Sequence, residues 1–175
     1  MKTKENERLS NYTTMGIGGT VPFLYLPETE NELIDLVRSL KAQKRGFRVI
    51  GSGSNILADD LGLEDDIICT RSLPRMLRFD GNLLIADSGY PIPQLAYQSA
   101  SKGLSGLEFA VGIPASIGGV VRMNAGAHGH TISELVHSVR MVSPEGEIVN
   151  YSNQDLHFTY RSSTIPKHGI VTEVI

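Results

Sequence analysis

Glycine is the residue that most restricts what this chain can fold into. Eighteen of the 175 residues are glycine, about 10% against the roughly 7% of ordinary globular chains. They are grouped, at positions 16–19, 51–53, 103–119 and 126–129. Grouping assigns the work of those loops to the backbone, because glycine supplies conformational freedom and close approach but no side chain. The sharpest group follows a short strand, Phe47-Arg48-Val49-Ile50, which empties directly into Gly51-Ser52-Gly53-Ser54-Asn55-Ile56. Alternate glycines turn a chain tightly and leave successive N–H groups facing one concavity, a nest for phosphate oxygens. The Ser52 and Ser54 hydroxyls add donors, and Asn55 can tie the loop to itself or to a ligand. No Gly-Lys-Ser/Thr follows, which excludes a P-loop, and the third glycine of the dinucleotide fingerprint is missing. A plain glycine-serine turn is the alternative.

A second loop, Val111-Gly112-Ile113-Pro114-Ala115-Ser116-Ile117-Gly118-Gly119-Val120, is too apolar for a solvent-exposed linker. Its glycines let a flat ligand reach the backbone, and Gly118-Gly119 at a helix start would aim free amides at an anion. A tight core crossover is the competing explanation. Met123-Asn124-Ala125-Gly126-Ala127 continues the small-residue character. Two such loops in one chain point to a long ligand held along its backbone. In a third stretch, Phe158-Thr159-Tyr160-Arg161-Ser162-Ser163, an arginine follows two aromatic positions. A fixed guanidinium there stabilises charge appearing on a reduced heterocycle or an enolate oxygen; a surface or salt-bridge arginine is the bland reading.

Between these loops the pattern is mixed. Thr29 and Glu32 form a capping-box signature. Leu33, Ile34, Leu36, Val37 and Leu40 then recur on one helical face, and Gly46 is the expected left-handed stop. Strands are expected near Asp66–Cys69 and Leu83–Asp87, a helix from Ile92 with Pro93 in its first turn, and a short helix near Ser116–Met123. Val136–Val142 and Glu147–Tyr151, joined through Pro144-Glu145-Gly146, read as a hairpin. Asn153 is a candidate cap for one helical turn. Met1–Arg8 reads as a polar tail. The expected class is α+β or α/β, with a division near residue 75: a first unit over 1–75 and a second over 76–175. The last run, Ile170–Ile175, is β-prone and ends without a turn, which favours a truncated unit over a final strand closing a sheet.

Composition excludes several functions. The chain is 41% hydrophobic, enough for a core, and its formal charge is −3 with no block of Lys or Arg, so no nucleic-acid face is expected. Cys69, the one cysteine, lies in an apolar run and reads as buried, consistent with a reducing compartment. No signal peptide is expected from Met1–Arg8, and no apolar run approaches the roughly 20 residues that span a bilayer. A cytoplasmic, membrane-free protein is the expectation. His128, His130, His137, Asp155 and His157 show no recognised metal spacing, Asp59-Asp60 and Glu64-Asp65-Asp66 read as solvated turns, and a hydrolase finds no nucleophile–base pair.

In order along the chain, Asn11-Tyr12-Thr13-Thr14-Met15-Gly16-Ile17-Gly18-Gly19, Gly51–Asp59, Gly103–Pro114, Ser116–Gly119, Met123–Ala127 and Tyr160–Ser163 resemble the bacterial UDP-N-acetylenolpyruvoylglucosamine reductases, the MurB family of peptidoglycan synthesis. The resemblance implies a two-lobed FAD-binding fold of the vanillyl-alcohol-oxidase (PCMH) type. It implies that Gly51, Ser52, Gly53, Ser54, Asn55 and Ile56, with Gly112, Ile113, Pro114, Ser116, Gly118, Gly119, Asn124 and Gly126, hold FAD. Arg161 would stabilise reduced flavin and the developing enolate. NADPH would be the reductant, and a UDP-sugar the substrate only if a further domain, which supplies a serine proton donor and a late glutamate in the family, completes the site. Ser52 and Ala115 stand where the family has glycine, and His128 where it has tyrosine. Ala115 raises the concern of a methyl against the ring or a left-handed backbone costing about 1 kcal/mol. The alternative is a cofactor-free structural or regulatory relative.

Overall fold

The Thr29 hydroxyl accepts from the Glu32 amide at 3.2 Å in the computed structural model, which describes residues 1–175. This cap opens α1 (Glu30–Ala42). The helix ends with Arg45 N–H donating to Leu40 C=O at 2.9 Å and Lys44 at φ +55°, so Lys44, and not Gly46, makes the left-handed stop. A Cβ at Gly46 would lie 2.5 Å from the Asp65 carboxylate, which would have to swing aside.

Residues Lys2–Arg8 are no tail but a strand, β1, paired antiparallel with β2 (Thr20–Leu26) from Lys2↔Leu26 to Arg8↔Thr20. Main-chain bonds hold it at the sheet edge while its charged side chains stay in water, so no apolar alternation announces it. β3 (Phe47–Ile50) and β4 (Asp66–Cys69) complete a sheet of order β1-β2-β4-β3, in which β2, β4 and β3 run parallel. All four residues of β4 are buried. Ile67 and Cys69 pack on one face with Leu9, Tyr12, Val21 and Leu24, while Ile68 packs on the other. Burial pushes the Cys69 thiol pKa up, which suits a core residue and not a nucleophile. Asp66 departs from the expected solvated turn. It is 1% exposed, and the Arg45 guanidinium grips both its oxygens at 2.8 Å.

The second sheet is wholly antiparallel, order β10-β9-β11-β6-β5. Its strands are β5 (Leu77–Asp80) and β6 (Leu83–Asp87), then, after α2 (Ile92–Ser101), α3 (Ile117–Arg122) and the small hairpin β7 (Gly126–Ala127) with β8 (His130–Thr131), β9 (Ser138–Val142), β10 (Ile148–Ser152) and β11 (Ile170–Val174). The expected 136–151 hairpin is β9 with β10. β11 lies between β9 and β6. The tip of the β7–β8 hairpin is His128–Gly129, with φ of +53° and +85°, the sign pattern of a tight two-residue turn. Asn153 makes no cap bond; its amide donates instead to the carbonyls of Ser133 and Val136 at 2.8 and 2.7 Å.

α1 joins the two sheets. Leu33, Leu36, Val37 and Leu40 pack against Phe47 and Ile68 of the first sheet and Val142 and Ile170 of the second. At its start Glu30 receives both Arg140 nitrogens at 3.0 and 2.9 Å and the Thr172 hydroxyl at 2.8 Å. The Arg140 guanidinium holds the Glu30 carboxyl below the usual carboxylate range, against an opposing push from burial. A depressed pKa stabilises the fold above the unfolded-state value, and that stabilisation is lost as pH falls through the folded value. Glu30→Gln is therefore expected to cost about 0.5–1 kcal/mol at neutral pH, given the solvent screening of a partly exposed pair. In thermal melts the gap to the parent should close as pH falls through the carboxylate range. A gap constant with pH would refute the assignment.

Candidate functional site

Parallel strands open their binding crevices beyond their carboxyl ends, and here β3 and β4 both end at one cleft. β3 runs into Gly51-Ser52 and β4 into the 3-10 turn Thr70–Ser72. The opposite wall comes from the second sheet's unit, as Gly89, Pro91, Pro93, Pro114, Ala115 and Ser116. The cleft measures about 180 Å³ and its wall also includes Arg71 and Arg75. The two glycine loops thus meet: a Cβ on Gly51 would sit 3.1 Å from the Ser116 hydroxyl. A larger hollow, about 440 Å³, lies among Leu83, Leu95, Leu104, Leu135 and neighbours of the second unit; of the 51–56 and 111–120 loops it meets only the Ile117 side of the second.

The glycines sort by what a side chain would meet. Gly53 has φ +71° and a Cβ there would be 1.9 Å from the Tyr12 carbonyl oxygen. Its own carbonyl accepts the Thr14 amide at 3.1 Å, so it locks the 51–55 loop to the 11–16 segment. Gly118 is pressed against Ser88, with a Cβ contact of 2.8 Å, and Gly126 against the His130 carbonyl, at 2.1 Å. Packing accounts for these three. Gly112 and Gly119 differ. Neither has positive φ; a Cβ on Gly112 meets nothing within 4 Å and one on Gly119 meets only the Ser116 hydroxyl, at 3.8 Å. Nothing within the protein demands glycine there.

Of the two helix-start amides expected to face an anion, Gly118 N–H is donated to Ser88 C=O at 2.9 Å. The packing that brings α3 against β6 consumes it, and Gly119 N–H alone donates to no backbone carbonyl. Ser52 keeps a negative φ, and its hydroxyl lies 3.2 Å from that of Ser54. Ala115 also stays out of the left-handed region, so its feared backbone strain does not arise; its methyl remains in the cleft wall. Pro114 and Ser116 line the cleft directly.

Arg161, Asn124 and Gly126 are gathered elsewhere, away from the cleft wall. Thr159 and Ser162 exchange backbone bonds at 3.0 and 3.2 Å, leaving Tyr160 and Arg161 at the tip of a tight turn. Three bonds pin this turn onto the end of α3. The Asn124 amide donates to Thr159 C=O at 2.9 Å, the Ser163 hydroxyl to Arg122 C=O at 2.8 Å, and Arg161 Nη2 to Gly126 C=O at 3.1 Å. Asn124 is 5% exposed, and its carbonyl accepts the Ser133 amide at 3.2 Å. One end of its side chain thus holds the turn, and the other anchors the Ile132–Glu134 segment. Tyr160 is 90% exposed, and Arg161, at φ +55°, is exposed beside it.

Arg71 organises the cleft floor and was not singled out by its sequence context. It donates from Nη2 to the carbonyls of Tyr12 and Ser52, both at 2.6 Å, and from Nε to that of Gly51 at 3.3 Å. The usable signal was its place just after a parallel core strand, the same edge onto which the glycine loop opens.

Residues 21–152 match the family model described as FAD binding domain. Over 99% of its length the chain is 39% identical to a UDP-N-acetylenolpyruvoylglucosamine reductase of Bacillus velezensis, covering 58% of that protein. Over 95% of its length it is 41% identical to one of Lactobacillus acidophilus, covering 55%. It spans, then, little more than half the length of these relatives. The crystal structure of the MurB reductase from Thermus caldophilus superposes with a TM-score of 0.79 at 34% identity, covering 99% of this chain and 60% of that one. Physcomitrella patens BBE-like 1 shares the fold alone, with TM-score 0.74 at 18% identity, 99% of this chain and 41% of that one. An α+β framework with two glycine loops across one cleft, matched by the family model over residues 21–152, places the chain in the FAD binding domain family.

Proposed function

We propose that this chain binds FAD across the cleft between its two sheets and forms the flavin-holding part of an NADPH-dependent reductase of the cytoplasm. The reaction would be reduction of the enolpyruvyl group of a UDP-N-acetylglucosamine enolpyruvate, performed when a further domain completes the substrate site. The observation that carries the reading is the meeting of Gly51 with Ser116 beside Gly119, where backbone from two separate units lies open to one ligand. The cleft volume, about 180 Å³, suits the diphosphate and its flanks; the remaining ligand would lie on open backbone at Gly112. When bound, FAD supplies the two-electron carrier between NADPH and the double bond. The chain's own residues bind and orient: Gly51 and Gly119 admit the ligand to the backbone, and Ser116 offers a hydroxyl. Arg161, on its pinned turn, offers a guanidinium that favours negative charge forming beside it.

Reconstitution tests the reading. The purified chain incubated with FAD should show flavin absorbance after desalting and quenched flavin fluorescence, with micromolar affinity. A folded chain that retains no flavin would overturn it. The methyl of Ala115 in the cleft wall favours the second reading, a cofactor-free relative, and a dissociation constant weaker than millimolar would establish that one. In a longer protein that turns over, Arg161→Ala is expected to lower kcat by tenfold or more while changing FAD affinity less than threefold. Equal losses of both would make Arg161 structural.

A further inference from the structure

The cleft carries charge that its glycine loops do not explain. Arg71 and Arg75 both belong to its wall, and no carboxylate does. Neither arginine takes part in an ion pair anywhere in the protein. Arg75 is tethered to Arg71, its Nη2 donating to Arg71 C=O at 3.0 Å. Arg71 is also held to the glycine loop through the carbonyls of Gly51 and Ser52, and to the 11–16 segment through that of Tyr12. Those bonds use Nε and Nη2 and leave Nη1 without a protein acceptor. The stem of Arg75 lies along Gly89 in the opposite wall, where a Cβ would come within 3.2 Å of it. A guanidinium presents paired donors in a fixed plane and suits phosphate oxygens held side by side. Two of them, unpaired and steadied in a hollow of about 180 Å³, make a site for a compact dianion.

We infer that Arg71 and Arg75 form a two-guanidinium site for a diphosphate group, so that ligand affinity in this chain rests on arginine charge as well as on bare amides. The inference deepens the FAD reading and rests on it for the identity of the diphosphate's bearer. Arg71 serves twice, bracing the Gly51–Ser52 loop and facing the ligand. Arg75 has a single weak tether, which makes it the cleaner target.

Calorimetric titration of the 175-residue chain with FAD, inorganic pyrophosphate and riboflavin tests this in the parent, Arg75→Met and Arg71→Met, with thermal melts alongside. Pyrophosphate should bind the parent and compete with FAD. Arg75→Met should weaken both by about tenfold, reduce the salt dependence of binding, and leave riboflavin affinity and the melting temperature unchanged. Arg71→Met should lower the melting temperature as well, since the loop loses its brace. Pyrophosphate affinity in Arg75→Met within twofold of the parent, or no pyrophosphate binding by the parent, would overturn the site. The two readings fail separately. Flavin uptake insensitive to pyrophosphate and to Arg75→Met refutes the arginine site and leaves the FAD proposal standing. Arginine-dependent pyrophosphate binding without any FAD uptake does the reverse.

Discussion

Gly119→Leu is expected to lower FAD affinity at least a hundredfold while the protein melts at or slightly above the parent temperature. Gly119 lies in the first turn of α3 (Ile117–Arg122) with an ordinary backbone conformation. Its added Cβ would meet only the Ser116 hydroxyl, at 3.8 Å. The fold therefore accommodates a side chain, and replacing a helical glycine removes a cost of about 1 kcal/mol. The ligand cannot share that space, because the residue stands beside the hydroxyl that Gly51 approaches across the cleft. Titration of flavin fluorescence gives the affinity and circular dichroism the melt. Stoichiometric flavin retained by a stable Gly119→Leu variant would show that the ligand does not cross this backbone.

Gly53→Val is expected to abolish FAD binding as well, by a different physical route that the melt exposes. The residue sits at φ +71°, a region a β-branched side chain enters only with strain. A Cβ there would also lie 1.9 Å from the Tyr12 carbonyl oxygen, which belongs to rigid backbone that itself accepts from Arg71. The loop has to break its bonds to Thr14 and move. The expected loss of stability exceeds 2 kcal/mol, the sum of backbone strain and broken packing, together with loss of binding. The pair of variants separates glycine needed by the protein from glycine needed by the ligand. Equal melts for both would refute that division.

Much of the local structure was legible in the residues themselves. Thr29 with Glu32 set the start of α1, the spacing of Leu33, Leu36, Val37 and Leu40 set its buried face, and the alternate glycines marked the loop after β3. These are signals carried by nearest neighbours along the chain, through side-chain caps, helical periodicity and the steric freedom of glycine. β1 escaped because an edge strand is held by main-chain bonds and needs no apolar pattern. Asp66 and Arg45 escaped because their partnership joins positions 21 residues apart, and a charged residue alone does not show whether it is paired.

The alternation of strand and helix patterns by itself set an α+β or α/β class, the glycine clusters marked backbone-lined loops, and the ordered motifs carried the resemblance to a flavin-binding family. Only the tertiary structure decided which glycines stand open and which fit against a neighbour, since both look alike until the atoms around each Cβ position are known. It alone brought Arg71 and Arg75 into the cleft and set Arg161 on a pinned turn away from its wall. The reason is that burial and proximity are properties of the packed chain: residues distant in sequence acquire a shared environment only when α1 and the two sheets close on one another.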